Sequence, residues 1–219
     1  MIKKIKNITS LLRLYKRHKS INIINFVRFN LYKTRGDGIL LTFKNGHYDI
    51  HKDAQIHLNN KCVFFFNKGR VPIDPFASLL YMQECARLIV NGNFSIFSGG
   101  RIYINKNAVL ELYGGYINSN VILSCHTKIK IGEGVKIAHN VVIRDNDSHE
   151  IIDENHVSKE PIEIGNHVWI GTNVIILKGV RIGDGAIIGA NSLVNKDIPA
   201  KAFAAGVPAK VIRENVEWK

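Results

Sequence analysis

From residue 164 to residue 199 the apolar and polar positions recur with a period of six. The units are Ile164-Gly-Asn-His-Val-Trp, Ile170-Gly-Thr-Asn-Val-Ile, Ile176-Leu-Lys-Gly-Val-Arg, Ile182-Gly-Asp-Gly-Ala-Ile, Ile188-Gly-Ala-Asn-Ser-Leu and Val194-Asn-Lys-Asp-Ile-Pro. Each opens with Ile or Val, and a small or β-branched residue fills the fifth place. A helix repeats at 3.6 and a plain strand at 2, so neither produces this pattern. A short fixed period predicts a solenoid, in which each turn buries its apolar side only by stacking on its neighbours. Three units would close one triangular turn of about eighteen residues. Ile164 would then lie under Ile182, Ile170 under Ile188 and Ile176 under Val194. Gly171 and Gly189 would share a column where backbones approach closely.

Upstream the pattern continues less regularly. Ile131, Ile137 and Ile143 mark one turn; Val90, Ile96 and Ile102 are six apart, and Ile104 and Leu110 follow a phase slip. Ile50 and Ile56 are the earliest such pair. The expected fold is therefore all-β, a parallel β-helix over residues 49–203 with excursions near 67–87 and 144–161. In the first excursion, Val71-Pro-Ile-Asp-Pro75 reads as a turn and Phe76 to Arg87 as a short helix. The second holds Asp145, Asp147, His149, Glu150, Asp153, Glu154, His156 and Glu160 and offers little to a core. A polar loop on a rigid scaffold is where chemistry is expected. Residues 1–48 read as a cap: a basic amphipathic helix with Ile5, Ile8, Leu12 and Tyr15 on one face, then a strand pair or irregular segment over Asn22–Phe43. Residues 204–219 read as a short C-terminal cap.

Charge changes the picture at one end. The chain carries a formal net charge of +12, and residues 1–36 contain ten Lys and Arg with no Asp or Glu. Such asymmetry points to a polyanion or an anionic membrane surface. No nucleic-acid-binding motif accompanies it, so nucleic acid is not expected. Cys62, Cys85 and Cys125 lack metal-ligand spacing and read as reduced thiols. No apolar run reaches membrane-span length and no signal-peptide core is visible. The expected location is cytoplasmic, with peripheral contact at the inner membrane face.

The run Ile164-Gly-Asn-His-Val-Trp-Ile-Gly171 and the tail Ala204-Ala-Gly-Val-Pro-Ala-Lys-Val-Ile-Arg213 resemble the hexapeptide-repeat acyltransferases, which are left-handed β-helices. The type most resembled is the sugar O-acetyltransferases, including galactoside and maltose acetyltransferases. The resemblance is specific from about Ile131 to Arg213, extends to Asp49 and does not reach the preceding residues. It implies acetyl-coenzyme A as acyl donor, no required metal, a sugar or polysaccharide acceptor, and a homotrimer with sites between subunits. His149 matches the catalytic base when counted from the Ile131–Ile143 turn; counted back from Trp169, the position falls near Asp145. A neutral imidazole suits the task, because it can take the hydroxyl proton and later release it. Asp147 or Asp145 would orient that ring, as carboxylates do in hydrolase triads. Asn118 and Trp169 match acceptor-site residues, although a left-handed corner is an equal reading of Asn118. Gly171, Thr172, Gly189, Ala190, Asn195, Lys196, Lys210 and Arg213 match coenzyme contacts, the basic ones suiting phosphate. The rival readings are an N-acetyltransferase of a nucleotide-linked amino sugar, a zinc β-helix resembling γ-carbonic anhydrases with His126, His139 and His149 as ligands, and a non-catalytic solenoid.

Overall fold

A computed structural model describes residues 20–69, 76–149, 151–152 and 156–219. The basic helix expected over residues 2–19 lies outside the described residues. The rest is a three-faced prism. The first face is a seven-stranded parallel sheet running from Thr34–Gly36 to Arg181–Ile182, and the third is a seven-stranded sheet running from Gly46–Ile50 to Leu193–Val194. The second face has nine strands, from Ile39–Thr42 to Phe203–Gly206, closed by the antiparallel strand Ala209–Arg213. The chain visits the faces in rotation, so every stacked pair is one full turn apart.

The three ladders read from the repeat are present. Ile164 pairs with Ile182, Ile170 with Ile188 and Ile176 with Val194. These six side chains are buried, and so are the fifth-place residues Val168, Val174, Val180, Ala186, Ser192 and Ile198. Each unit therefore sends its first and fifth side chains inward, while the places between them form strand edge and corner. Corners between the second and third faces use asparagine in the left-handed region: Asn120, Asn140, Asn173 and Asn191 have φ of 61°, 58°, 59° and 59°. Asn tolerates this conformation better than most residues. The amides also bond upward, from Asn140 Nδ2 to Asn173 Oδ1 at 3.1 Å and from Asn173 Nδ2 to Asn191 Oδ1 at 2.9 Å.

Three local expectations are corrected. Residues 76–87 are not helical: Ser78–Met82 is a strand whose side chains alternate buried and half-buried, and another begins at Arg87. The period-two alternation of Ser78, Leu80 and Met82 inward decides it. Ile23–Arg28 is a helix capped by the Asn22 side chain, followed by a π-helical turn over Phe29–Lys33, where a strand pair or irregular segment was expected. It lays Phe26 against Leu41 and Phe43, covering the lowest strand of the second face. Finally, parallel pairing begins at Thr34, ahead of position 49, through Thr34–Ile56 and Ile39–Val63.

Candidate active site

The polar excursion leaves the prism after Val142–Arg144 on the third face and returns at Ile162–Ile164 on the first. Its base is closed as an antiparallel pair: Asn146 bridges Lys159, Asp147 N–H donates to Ser158 O at 3.0 Å, and Glu160 N–H donates to Asp145 O at 3.1 Å. Asp145 is fully buried. Its carboxylate accepts from the N–H groups of His126 and Thr127, each at 2.7 Å, and from the Thr127 hydroxyl at 2.9 Å. Asp145 thus caps the corner one turn below, and among the described residues no hydrogen bond joins it to His149. Burial holds the His126 pKa below its ordinary value, with Lys159 and Arg144 acting the same way and Asp145 opposing.

Asp147 is also engaged away from His149. Its Oδ2 forms an ion pair with Lys178 from the next turn and lies 3.1 Å from His156 Nε2, without hydrogen-bond alignment. Both aspartates therefore fix the loop that carries His149 without touching the ring. Next to His149, Ser148 adopts φ 63°, held by Asn146 Oδ1 and Arg144. The His149 side chain itself is exposed, and no hydrogen bond joins it to other described residues.

A groove of about 510 Å³ lies along the corner between the second and third faces. It brings together Gly171, Thr172, Gly189, Ala190 and Arg213, with Trp169 beside them. Small residues are required in its floor: a Cβ on Gly171 would stand 2.7 Å from Ala190 N and 2.8 Å from Ile188 O. Trp169 points outward from its strand and is 44% exposed. Asn118 continues the same column two turns lower, its N–H bonded to Ile137 O as Gly171 N–H is to Ile188 O. The left-handed corner conformation belongs to Asn120 and not to Asn118.

The chain does not bring the remaining candidates to that groove. Asn195 and Lys196 are exposed at the corner between the third and first faces, the corner from which the His149 loop emerges. Lys210 lies opposite Ala205 on the terminal hairpin, outside the groove lining. One chain therefore holds the loop of its candidate base and the groove with Gly171, Thr172, Gly189, Ala190 and Arg213 a full face apart. His126 and His139 occupy different corners, and among the described residues no three metal-binding side chains converge. Sequence reasoning missed Lys178, whose unit reads Ile-Leu-Lys-Gly where others have Ile-Gly. It also missed the groove residues Ala138, Phe203, Val216 and Glu217.

The three stacked parallel sheets define a hexapeptide-repeat β-helix. Residues 161–196 match the family model described as bacterial transferase hexapeptide (six repeats). The chain is 42% identical over 119 residues to galactoside O-acetyltransferase of Escherichia coli (strain K12), covering 53% of this chain and 55% of that protein. It thus spans about half the length of that relative. It is 33% identical over 142 residues to the putative colanic acid biosynthesis acetyltransferase WcaF of the same strain, covering 53% of this chain and 78% of that protein. The solved structure of the polysialic acid O-acetyltransferase OatWY superposes with a TM-score of 0.54 at 25% identity, covering 86% of this chain and 91% of that one. The chain belongs to the bacterial hexapeptide-repeat transferase family.

Proposed function

We propose that this protein transfers an acetyl group from acetyl-coenzyme A to a sugar hydroxyl, on a cell-surface polysaccharide or its lipid-linked precursor. The observation that carries this reading is the groove that gathers Gly171, Thr172, Gly189, Ala190 and Arg213 beside Trp169. Its small-residue floor suits an extended pantetheine arm, and Arg213 suits the anionic nucleotide end. The relatives support the acceptor class, being named for a galactoside, colanic acid biosynthesis and polysialic acid. The ten uncompensated basic residues of the first 36 favour an acidic polymer or a membrane-held acceptor.

In the reaction, His149 takes the proton of the acceptor hydroxyl while the oxygen attacks the thioester carbonyl, forming the C–O bond. A backbone N–H stabilises the resulting oxyanion. Collapse breaks the C–S bond, and the imidazolium returns its proton to the departing thiolate. Among the described residues neither Asp145 nor Asp147 is bonded to the His149 ring, Asp145 binding His126 and Thr127 and Asp147 pairing with Lys178. Because loop and groove stand at different corners of one prism, a complete site needs the His149 corner of one copy against the groove of another. A homotrimer meets that need, and Asn195 and Lys196 would reach the coenzyme from the same neighbouring corner.

The test is a mass-spectrometric screen of acetyl transfer to free sugars, nucleotide sugars and oligosaccharide repeats. On the acceptor found, His149→Ala should lower transfer by roughly 10²–10⁴, with coenzyme A affinity and melting temperature unchanged. His156→Ala should retain most activity, its effect passing only through Asp147. An essential His156 with a dispensable His149 would overturn the assignment.

A further inference from the structure

Both tryptophans of the chain meet at one place, and the sequence pattern accounts for only one of them. After Arg213 the tail turns back along the second face. Val216 N–H donates to Lys201 O at 2.8 Å. The Trp218 ring then stacks on His167, with centroids 3.9 Å apart and planes 5° from parallel. His167 Nε2 lies 2.9 Å from Trp218 O. Since a carbonyl only accepts, His167 carries its proton on Nε2. Lys136 Nζ stands 4.8 Å from the centre of the Trp218 ring. Trp169 is a further neighbour, its ring centroid 5.9 Å away at 50°. The segment after Arg213 is held by a stack, a cation–π contact and two hydrogen bonds, and this order costs it conformational freedom.

What this ordering produces lies at the groove. Val216 and Glu217 line it together with Trp169, Ile187 and Phe203. Those last three form an outward column on consecutive strands, with Trp169 paired to Ile187 and Ile187 to Phe203. The tail therefore covers one flank of an apolar column whose other flank is the groove wall. In that wall Trp169 is placed against a second aromatic group, the Trp218 ring.

We propose that Trp218 is a positioning residue for Trp169 and thereby sets the length of acyl group the groove accepts. Backed by Trp218, the Trp169 ring cannot swing away from the groove, and the wall stays closed around a short acyl chain. This rests on reading the groove as the site of the acyl donor. Discrimination then follows from packing alone: each extra methylene must displace a ring that is itself wedged. In a rigid apolar site that is worth about 10–200-fold per methylene.

The experiment uses the full chain with acetyl-, propionyl- and butyryl-coenzyme A and the acceptor from the screen above. Wild type should lose about tenfold or more in kcat/KM with each added methylene. Trp218→Ala should flatten that series to within a few-fold and lower acetyl transfer, while affinity for coenzyme A without an acyl group changes little. Trp218→Phe, which keeps an aromatic backing of smaller size, should admit propionyl but still reject butyryl. It carries the test should the alanine variant not fold. Its emission also comes from Trp169 alone, and this should respond differently to acetyl- and butyryl-coenzyme A. An unchanged chain-length profile in both variants, alongside lowered stability, would overturn the proposal and leave the tail a cover for the apolar column. A wild-type protein that neither binds coenzyme A nor transfers acetyl would instead overturn the donor-site reading, and this inference with it.

Discussion

The lower and upper turns of the prism solve one packing problem with different parts. In the upper turns, Glu163 stacks on Arg181 and Trp169 on Ile187, eighteen residues apart, and the strands are two or three residues long. Their core is Ile, Val and Ala. In the lower turns, Arg87 stacks on Val109 after 22 residues and Phe94 on Gly115 after 21, with strands of three to six residues. There the core carries Phe64, Phe66, Phe94, Leu80 and Met82, all with relative exposure under 2%. A phenyl ring needs a wider triangle, and longer sides supply it. The period is thus set by what fills the prism, and only the narrow half obeys six. The groove is built on that half because strict register stacks Gly171 on Gly189 and Thr172 on Ala190. A turn of 21 or 22 residues would stagger those small residues and roughen the floor.

The severest test of this contrast is Ile170→Asp. The site is fully buried among Ile137, Ile188 and their neighbours, and among the described residues no Lys or Arg is buried in the prism to pair with a carboxylate. An unpaired buried charge belongs to the few changes that remove a fold outright. The expected outcome is insoluble protein or loss of the cooperative melt by circular dichroism. A melting temperature within a few degrees of wild type would mean that Ile170 does not face inward.

A milder pair compares the two halves directly. Phe64→Ala, in the wide half, should cost about 3–5 kcal/mol, whereas Ile176→Val, in the narrow half, should cost about 0.5–1.5 kcal/mol. Urea unfolding with unchanged m-values would measure both. Equal losses would show that the lower turns relax around the missing ring, and that their width does not depend on it.

The same contrast explains what the sequence reveals and what it hides. Ile164, Ile170 and Ile176 with their partners are legible because the eighteen-residue turn repeats one residue type at one spacing. Phe64 and Phe94 are not, since corners of unequal length shift the phase and aromatic side chains replace Ile. The helix at Ile23–Arg28 is hidden by Asn22, Asn25 and the β-branched residues around them, which favour strand by local preference. It forms because Phe26 finds a pocket beside Leu41 and Phe43. At the site, Gly171, Thr172, Gly189 and Ala190 are legible from the repeat register. The commitments of Asp145 to His126 and Thr127, and of Asp147 to Lys178, are not, because they join residues 18 to 31 apart through a loop without periodicity. Trp218 is invisible for a related reason: its partners His167 and Trp169 lie about fifty residues upstream.

The smallest expected effect distinguishes the outer surfaces of the two halves along the first face. In the upper turns the outward charges alternate, with Lys130 beside Glu163 at 2.5 Å and Arg181 in register with Glu163. In the lower turns Arg35 pairs in register with His57, and Arg87 pairs with Gln55 one step along. Burial first, and then Arg35 and Arg87, hold the His57 pKa below its ordinary value of 6.5. Near and below pH 6.5 the unfolded chain therefore binds more protons at this residue than the folded one, and stability falls as the pH is lowered through that window. Glu163, held below its ordinary 4.5 chiefly by the hydrogen bond from Lys130, adds stability that is lost only at more acid pH. His126, whose pKa is also lowered, contributes to the first window and must be separated from His57. His57→Gln should reduce the loss of melting temperature between pH 7.5 and 5.5 and leave the loss below pH 4.5 unchanged. His126→Gln, made alone, should reduce the same window, and the two effects should add because the residues share no partner. An acid loss that is undiminished in the double variant would place the pH response elsewhere in the chain and remove the distinction between the two surfaces.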